Sequence, residues 1–372
     1  MSSGNRGILY LAFGKEIEVR KTLLGILIIL NVIAAFGLLA AYLSVYIPPD
    51  RFWMPAFIGL AYPFLLLANL LFILFWLVVR MRYALLSLLA VFIGIGTFFR
   101  FIQFGGKSSE SSEIKVLSYN VRHFSGDGKA NNKENAERII SFLEEQNADI
   151  ICLQESRLRK NNIFNLSKTV QDLQNIKHYQ FASSSSTFGS VTMTKFPIIN
   201  MGEIRFEHSR NITIFTDMLI GEDTVRVYNV HLQSYHIDPK NYAVIENIEL
   251  QQEKDREVFR KVAGQMKEAF EMRAMQVNEI RRHIKKCKYK VLICGDFNDT
   301  PVSYSYHTLS EDLVDAFVNS GHGVGRTYVG ELPSFRIDYI LHSKSIESYN
   351  FETIDFKYSD HLPITCDLAM AD

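Results

Sequence analysis

Side chains able to do chemistry sit at the ends of short apolar runs. The clearest case is Val291-Leu292-Ile293-Cys294-Gly295-Asp296-Phe297-Asn298-Asp299. Its first four residues read as a strand buried on both faces, and Gly295 lets the backbone turn. Asp296 and Asn298, two apart on extended backbone, point to the same face, so a carboxylate and a carboxamide project together where open α/β sheets bind ligands. Taken alone, the same residues also suit an ordinary turn. Glu155 follows the apolar run Asp149–Leu153, and a carboxylate beside a core needs a partner, either a cation or one of the guanidinium groups of Arg122 and Arg157. Asn120, His231, Asp338 and the adjacent Asp360 and His361 likewise flank apolar runs. A lone strand histidine is normally structural, and an Asp-His dipeptide says little. As residue types, however, carboxylates hold hard cations, and imidazoles and carboxylates move protons.

The elements that must position these groups are legible in the periodicity. A strand at Ile114–Tyr119, a helix over 132–146 with Ile139, Ile140 and Leu143 on one face, and a strand at Asp149–Leu153 give the order of an α/β layer. Asn211–Ile220 and Thr224–Leu232 form a hairpin pattern around Gly221-Glu222-Asp223. Residues 235–288 carry a helical apolar period through Val258, Val262, Met266, Phe270, Val277 and Ile280, and their many charges read as a solvated face. Residues Gly325–Tyr328 form a short element to which the sequence gives no role.

The chain of 372 residues is long enough for two domains, and its apolar content is uneven. Uncharged runs predict three transmembrane helices, at about 22–47, 53–79 and 83–102. Arg6, Lys15, Arg20 and Lys21 precede the first, and Arg80 and Arg82 follow the second, which places the N-terminus in the cytoplasm and everything after the third span outside it. The expected organisation is a membrane domain at 1–104, a polar linker at 105–112 and a catalytic domain at 113–372. Net charge is zero overall, but residues 1–112 hold nine basic and four acidic side chains, leaving 31 and 36, a net near −5, in the remainder. That acidic balance argues against tight, nonspecific binding along a polyanion. Of the four cysteines, Cys152 and Cys294 fall in buried strands, with Cys287 and Cys366 elsewhere; no zinc spacing is present and no essential disulfide is expected.

The motifs Tyr-Asn-Val-Arg ending at Arg122, Leu-Gln-Glu-Ser-Arg at 153–157, Asn-Val-His-Leu at 229–232, Gly-Asp-Phe-Asn at 295–298, Arg-Ile-Asp-Tyr at 336–339 and Ser-Asp-His-Leu-Pro at 359–363 occur in one order over 113–372. In this the chain resembles the endonuclease/exonuclease/phosphatase superfamily, as a membrane-anchored bacterial member. The resemblance implies a four-layer α/β (α+β) sandwich of two facing mixed β-sheets flanked by helices, here preceded by the three membrane helices. It implies a metal-dependent phosphoesterase cleaving phosphodiester bonds: Glu155, Asn120 and Asp360 for Mg2+ or Mn2+, Asp296 for the attacking water, Asn298 for a phosphate oxygen, His361 oriented by Asp338 as base or phosphate clamp, and His231 near the leaving group. Arg122 and Arg157 would touch the substrate, a nucleic acid or a phospholipid headgroup; a lipid or sugar phosphate phosphatase is the alternative. A noncatalytic binding protein on the same fold is the reading from another class. The expected location is a multi-pass protein of the bacterial inner membrane with its catalytic domain extracytoplasmic, and no segment calls for an obligate protein partner. One departure concerns His231, whose acidic partner in pancreatic deoxyribonuclease has no clear counterpart near Ser190.

Overall fold

Along Ile114–Asn120 successive side chains point to opposite faces, and nearly all are buried: Val116 looks into one core and Leu117 and Tyr119 into another. A strand covered on both faces needs a layer on each side. A computed structural model supplies both layers, and it describes residues 3–110, 113–126, 132–157, 165–183, 188–238, 241, 253–330 and 335–370.

The described strands are β1 Ile102–Gln103, β2 Ile114–Asn120, β3 Ile150–Ser156, β4 His178–Ser183, β5 Gly189–Thr194, β6 Ile198–Arg205, β7 Ile212–Ile220, β8 Asp223–His231, β9 Lys290–Asp296, β10 Leu313–Asp315, β11 Gly323–Val324, β12 Asp338–Ser343, β13 Ile346–Thr353 and β14 Ile364–Met370. Two six-stranded sheets form, in the orders β13-β14-β2-β3-β5-β4 and β10-β12-β9-β8-β7-β6. Each is mixed, with one parallel pair at its centre, β2 with β3 and β8 with β9. Between the sheets lie Val116, Ile150, Cys152 and Cys366 against Val227, Leu292, Cys294 and Ile340. The outer face of the first sheet packs on the Asn132–Gln146 helix through Ile139, Phe142 and Leu143, and that of the second on the Glu253–Ile284 helix through Val277, Ile280 and Ile284. The result is the helix, sheet, sheet, helix sandwich expected.

Three local expectations are corrected. Gly295 makes no turn: it lies inside β9 at φ +144, where a Cβ would run into the Val230 carbonyl, so the glycine is required by the close approach of β8. The charges of the long helix are not all solvated. Arg273 is fully buried, with Nε 3.1 Å from Asp299 Oδ2, Nη1 donating to Gln233 O at 2.8 Å, and its guanidinium over the Tyr235 ring. The expected helical stretch also included residues 239–240 and 242–252, which lie outside those described.

The N-terminal part contains two helical stretches long and apolar enough to cross a bilayer, Glu18–Ser44 and Tyr62–Val79, instead of three. The third expected span breaks into a 3-10 turn and the helices Ala84–Ile93 and Ile95–Phe98, interrupted at Gly94, where the Tyr42 ring takes the place a Cβ would need. Met81–Ile93 is only about 20 Å long at 1.5 Å per residue, short of a hydrocarbon core of about 30 Å. Pro63 similarly starts a new helix after Met54–Leu60, because it lacks the N–H needed to continue the old one.

The two parts touch extensively. Arg336 Nη2 donates to Arg100 O at 2.8 Å, β1 pairs with β11, Phe57 meets Phe270 edge-on at 5.1 Å, and Val302 packs among Ala35, Leu38, Ala41 and Tyr62. Within the stretch expected as a linker, Ser109 exchanges hydrogen bonds with Asn350; residues 111–112 lie outside those described.

The buried Arg273 pairing gives a test. Arg273→Ala leaves Asp299 buried without its cation and should destabilise the full chain by about 3–5 kcal/mol, read as a lower unfolding midpoint in detergent; a midpoint within a degree of the parent would refute the assignment.

Candidate active site

The two central parallel pairs end at one seam. Asn120 closes β2, Glu155 lies one residue before the end of β3, and His231 and Asp296 close β8 and β9 in register with each other. Asp338 opens β12 directly opposite Asp296. Across the seam Asn120 Nδ2 donates to Asp296 Oδ2 at 3.0 Å and lies 3.5 Å from Glu155 Oε1. Asn298 donates to Asp296 twice, from its backbone N at 2.7 Å and from Nδ2 at 3.1 Å. His361 Nδ1 is 2.9 Å from Asp338 Oδ2, while its Nε2 is 3.6 Å from Asp296 Oδ2. His231 Nε2 lies 3.4 Å from Glu155 Oε1. Every residue named here is buried or nearly so, and Asp296 is wholly inaccessible.

Backbone strain gathers at the same seam. Glu155 adopts φ 53 at a bulge in the β3–β5 ladder, which aims its side chain off the strand, and Asn298 adopts φ 51. Arg122, His123 and Phe124 are three successive left-handed residues at φ 41, 55 and 59.

Burial pushes the Asp296 carboxyl up to about 7, reinforced by Asp338 and opposed by His361. For Glu155 burial acts in the same direction but is outweighed by His231, His123 and His361, which hold its carboxyl below the usual range. Burial alone would lower His361, yet Asp338 and Asp296 raise it well above an ordinary imidazole. His231 is lowered by burial in spite of Glu155. The seam therefore sets a proton-accepting Asp296 beside a charged His361, and a charged Glu155 beside a neutral His231.

Of the residues singled out by sequence, Asn120, Glu155, His231, Asp296, Asn298, Asp338 and His361 form this one cluster. Asp360 adjoins it, its carboxylate 3.3 Å from Arg122 Nε and accepting from Ser359 Oγ at 3.3 Å. Arg157 lies half-buried just past β3, with no hydrogen bond or ion pair among the described residues. Sequence reasoning passed over His123, whose Nε2 is 3.2 Å from Glu155 Oε2; an imidazole three residues beyond Asn120 was its only signal. Thr327 was also missed. Its Oγ1 accepts from the backbone N of Ile337 and Asp338, at 3.0 and 3.1 Å, and its carbonyl accepts from Leu362 N at 2.7 Å, so it fastens the segment bearing Asp338 to the one bearing His361.

The donor set suits a hard divalent ion. Glu155 and Asn120 offer carboxylate and carboxamide oxygens side by side, and the buried His231 Nε2 has no hydrogen-bond partner, an orphan that a bound ion, water or phosphate would satisfy. Asp296, Asp338 and His361 also offer atoms within 4.8 Å of one another, but there His361 already bonds Asp338, as in a dyad.

A sequence model described as the Endonuclease/Exonuclease/phosphatase family matches residues 117–361, and one described as a domain of unknown function matches residues 23–101. No curated protein matches the chain. Among solved structures, an endonuclease/exonuclease/phosphatase from Beutenbergia cavernae is similar at 14% identity and TM-score 0.50, covering 70% of this chain and 72% of that one. A family protein from Leptotrichia buccalis shares 17% identity at TM-score 0.50, over 69% of this chain and all (100%) of its own. The mannosyl-6-phosphatase of Bacteroides thetaiotaomicron shares 16% at TM-score 0.50, with 69% and 100% covered. With two thirds of its length matched by the family and its two-sheet fold shared with those structures, the chain belongs to the endonuclease/exonuclease/phosphatase family and is a hydrolase of phosphate esters.

Proposed function

We propose that this chain is a divalent-cation-dependent phosphodiesterase, held at a membrane by its N-terminal helices and acting on the extracytoplasmic side. One observation carries the catalytic reading: Asn120, Glu155, His231, Asp296, Asn298, Asp338 and His361 lie in a single hydrogen-bonded and ion-paired cluster at the seam. Glu155 and Asn120 would hold Mg2+ or Mn2+, with Asp360 fixing Arg122 beside them. A bound ion supplies neutralisation of the charge that grows on the phosphoryl oxygens. Asp296 takes the proton of the attacking water, a role suited to a carboxyl pushed up to about 7. Asn298 Nδ2 and the His361 imidazolium, held by Asp338, donate to phosphate oxygens. His231 serves the leaving group or a phosphate oxygen.

The membrane reading is supported by the two apolar helical stretches and by their surfaces. Large apolar side chains such as Phe36, Leu74 and Val78 are exposed, whereas Asn31, Asn69 and Ser87 are buried and bonded between helices, the inverse of a soluble domain. The loop after Asn298 reaches the bundle within four residues, at Val302, no more than about 14 Å of chain. That proximity favours a phospholipid headgroup as substrate. Arg122 and Arg157 are the observation favouring a nucleic acid.

Full-length protein in lipid nanodiscs should hydrolyse one of phospholipid, plasmid DNA, RNA or mannose 6-phosphate with Mg2+ or Mn2+, and lose that activity in chelator. Asp296→Ala and His361→Ala should each lower the rate by about 10²–10⁴; an unchanged rate in either sinks the mechanism. Cation binding without turnover on any of the four would instead identify a noncatalytic binding protein.

Raised folded-state titration means Asp296 favours folding below its unfolded value near 3.8 and loses that contribution as pH climbs through about 7. In chelator, then, Asp296→Asn should raise the unfolding temperature at pH 8 and progressively less toward pH 5. A gain that does not shrink on acidification contradicts the burial argument. For topology, a reporter active only outside the cytoplasm, fused after Asp372, should be active; silence with confirmed expression reverses the orientation.

A further inference from the structure

We infer that His123 Nε2 is a nitrogen ligand of the cation held by Glu155, so that the site prefers Mn2+ to Mg2+; this rests on the divalent-cation reading above. The argument starts from the tautomer. His123 Nδ1 lies 3.2 Å from the carbonyl oxygen of Glu155, and a carbonyl only accepts, so Nδ1 carries the hydrogen of the neutral ring. Nε2 is then a lone pair. It faces Glu155 Oε2 at 3.2 Å, and an ionised carboxylate has no hydrogen to give. Two acceptors at that distance repel unless a positive charge lies between or beside them.

The other oxygen of the same carboxylate is in a matching position. His231 Nε2, on a residue 7% exposed, has no hydrogen-bond partner and lies 3.4 Å from Glu155 Oε1. One carboxylate thus sits between two imidazole nitrogens, and only Asn120 Nδ2, at 3.5 Å, approaches it as an amide donor. The ring of His123 is held by construction: it packs on Phe188 with centroids 4.5 Å apart, and the next residue, Phe124, is fully buried.

Ligand chemistry then decides the ion. Mg2+ takes oxygen almost exclusively and keeps several waters, whereas Mn2+ accepts an imidazole nitrogen in an otherwise oxygen shell. Asn120 and Glu155 provide the oxygens and His123 the nitrogen.

The test uses the full-length protein in detergent, stripped by chelator and loaded with Mn2+. Pulsed EPR should detect the nitrogen coupling of a directly bound imidazole in the parent and in His231→Gln, and should lose it in His123→Gln. Titration calorimetry should show Mn2+ affinity falling about tenfold or more in His123→Gln with Mg2+ affinity changed less than about threefold. If His123→Gln does not fold, 15N-histidine labelling of the parent still decides whether a histidine nitrogen is bound, and His231→Gln decides which one. Mn2+ bound with no nitrogen coupling overturns the proposal, which would make His123 an imidazolium paired with Glu155; so does coupling that survives in His123→Gln. Failure of both Mn2+ and Mg2+ to bind the parent overturns the cation reading itself.

Discussion

Two carboxylates with opposite electrostatic fates are buried within reach of one amide, and much of the molecule is arranged around that constraint. Asp296 and Glu155 belong to different sheets, and Asn120 Nδ2 approaches both, at 3.0 and 3.5 Å. A buried acid is costly unless its neighbours supply hydrogen bonds or charge. Asp296 meets this demand with donors from Asn120 and Asn298 and partial protonation, Glu155 with imidazoles. The same compensation that makes the seam tolerable in the folded state prepares it for proton transfer and cation binding.

Around the seam lies a second set of groups that fix it in place. Thr327 joins the Asp338 and His361 segments, and Arg273 grips Asp299, which also accepts from Ser305 Oγ at 2.9 Å and whose carbonyl accepts from the Tyr339 hydroxyl. Arg336, which pairs with Asp315 at 2.8 Å, reaches Arg100 at the end of the helical bundle, and two residues later in the chain comes Asp338. The catalytic side chains and the N-terminal helices are therefore braced through shared residues, and motion of the bundle relative to the sheets would strain the strand that carries Asp338.

Several of these positions run against local preference. Left-handed backbone at Arg122, His123, Phe124, Glu155 and Asn298 and a carboxyl raised to about 7 at Asp296 each lower stability locally. They cluster where side chains must be aimed off regular strands, and regular elements on either side hold them there.

The sequence by itself determined the elements and the roster of groups. Apolar runs at 114–120, 150–156 and 291–296 are buried strands because period and hydrophobicity act locally, and Asn120, Glu155, His231, Asp296, Asn298, Asp338 and His361 were legible because polar residues at the ends of such runs are conspicuous. Tertiary structure decided the rest. Gly295 answers to the Val230 carbonyl on a neighbouring strand, Arg273 to a carboxylate 26 residues away, Gly94 to the Tyr42 ring, and His123 to an acid on another strand. No local pattern encodes such contacts, since burial and electrostatic pairing depend on which distant atoms the fold brings within a few ångströms.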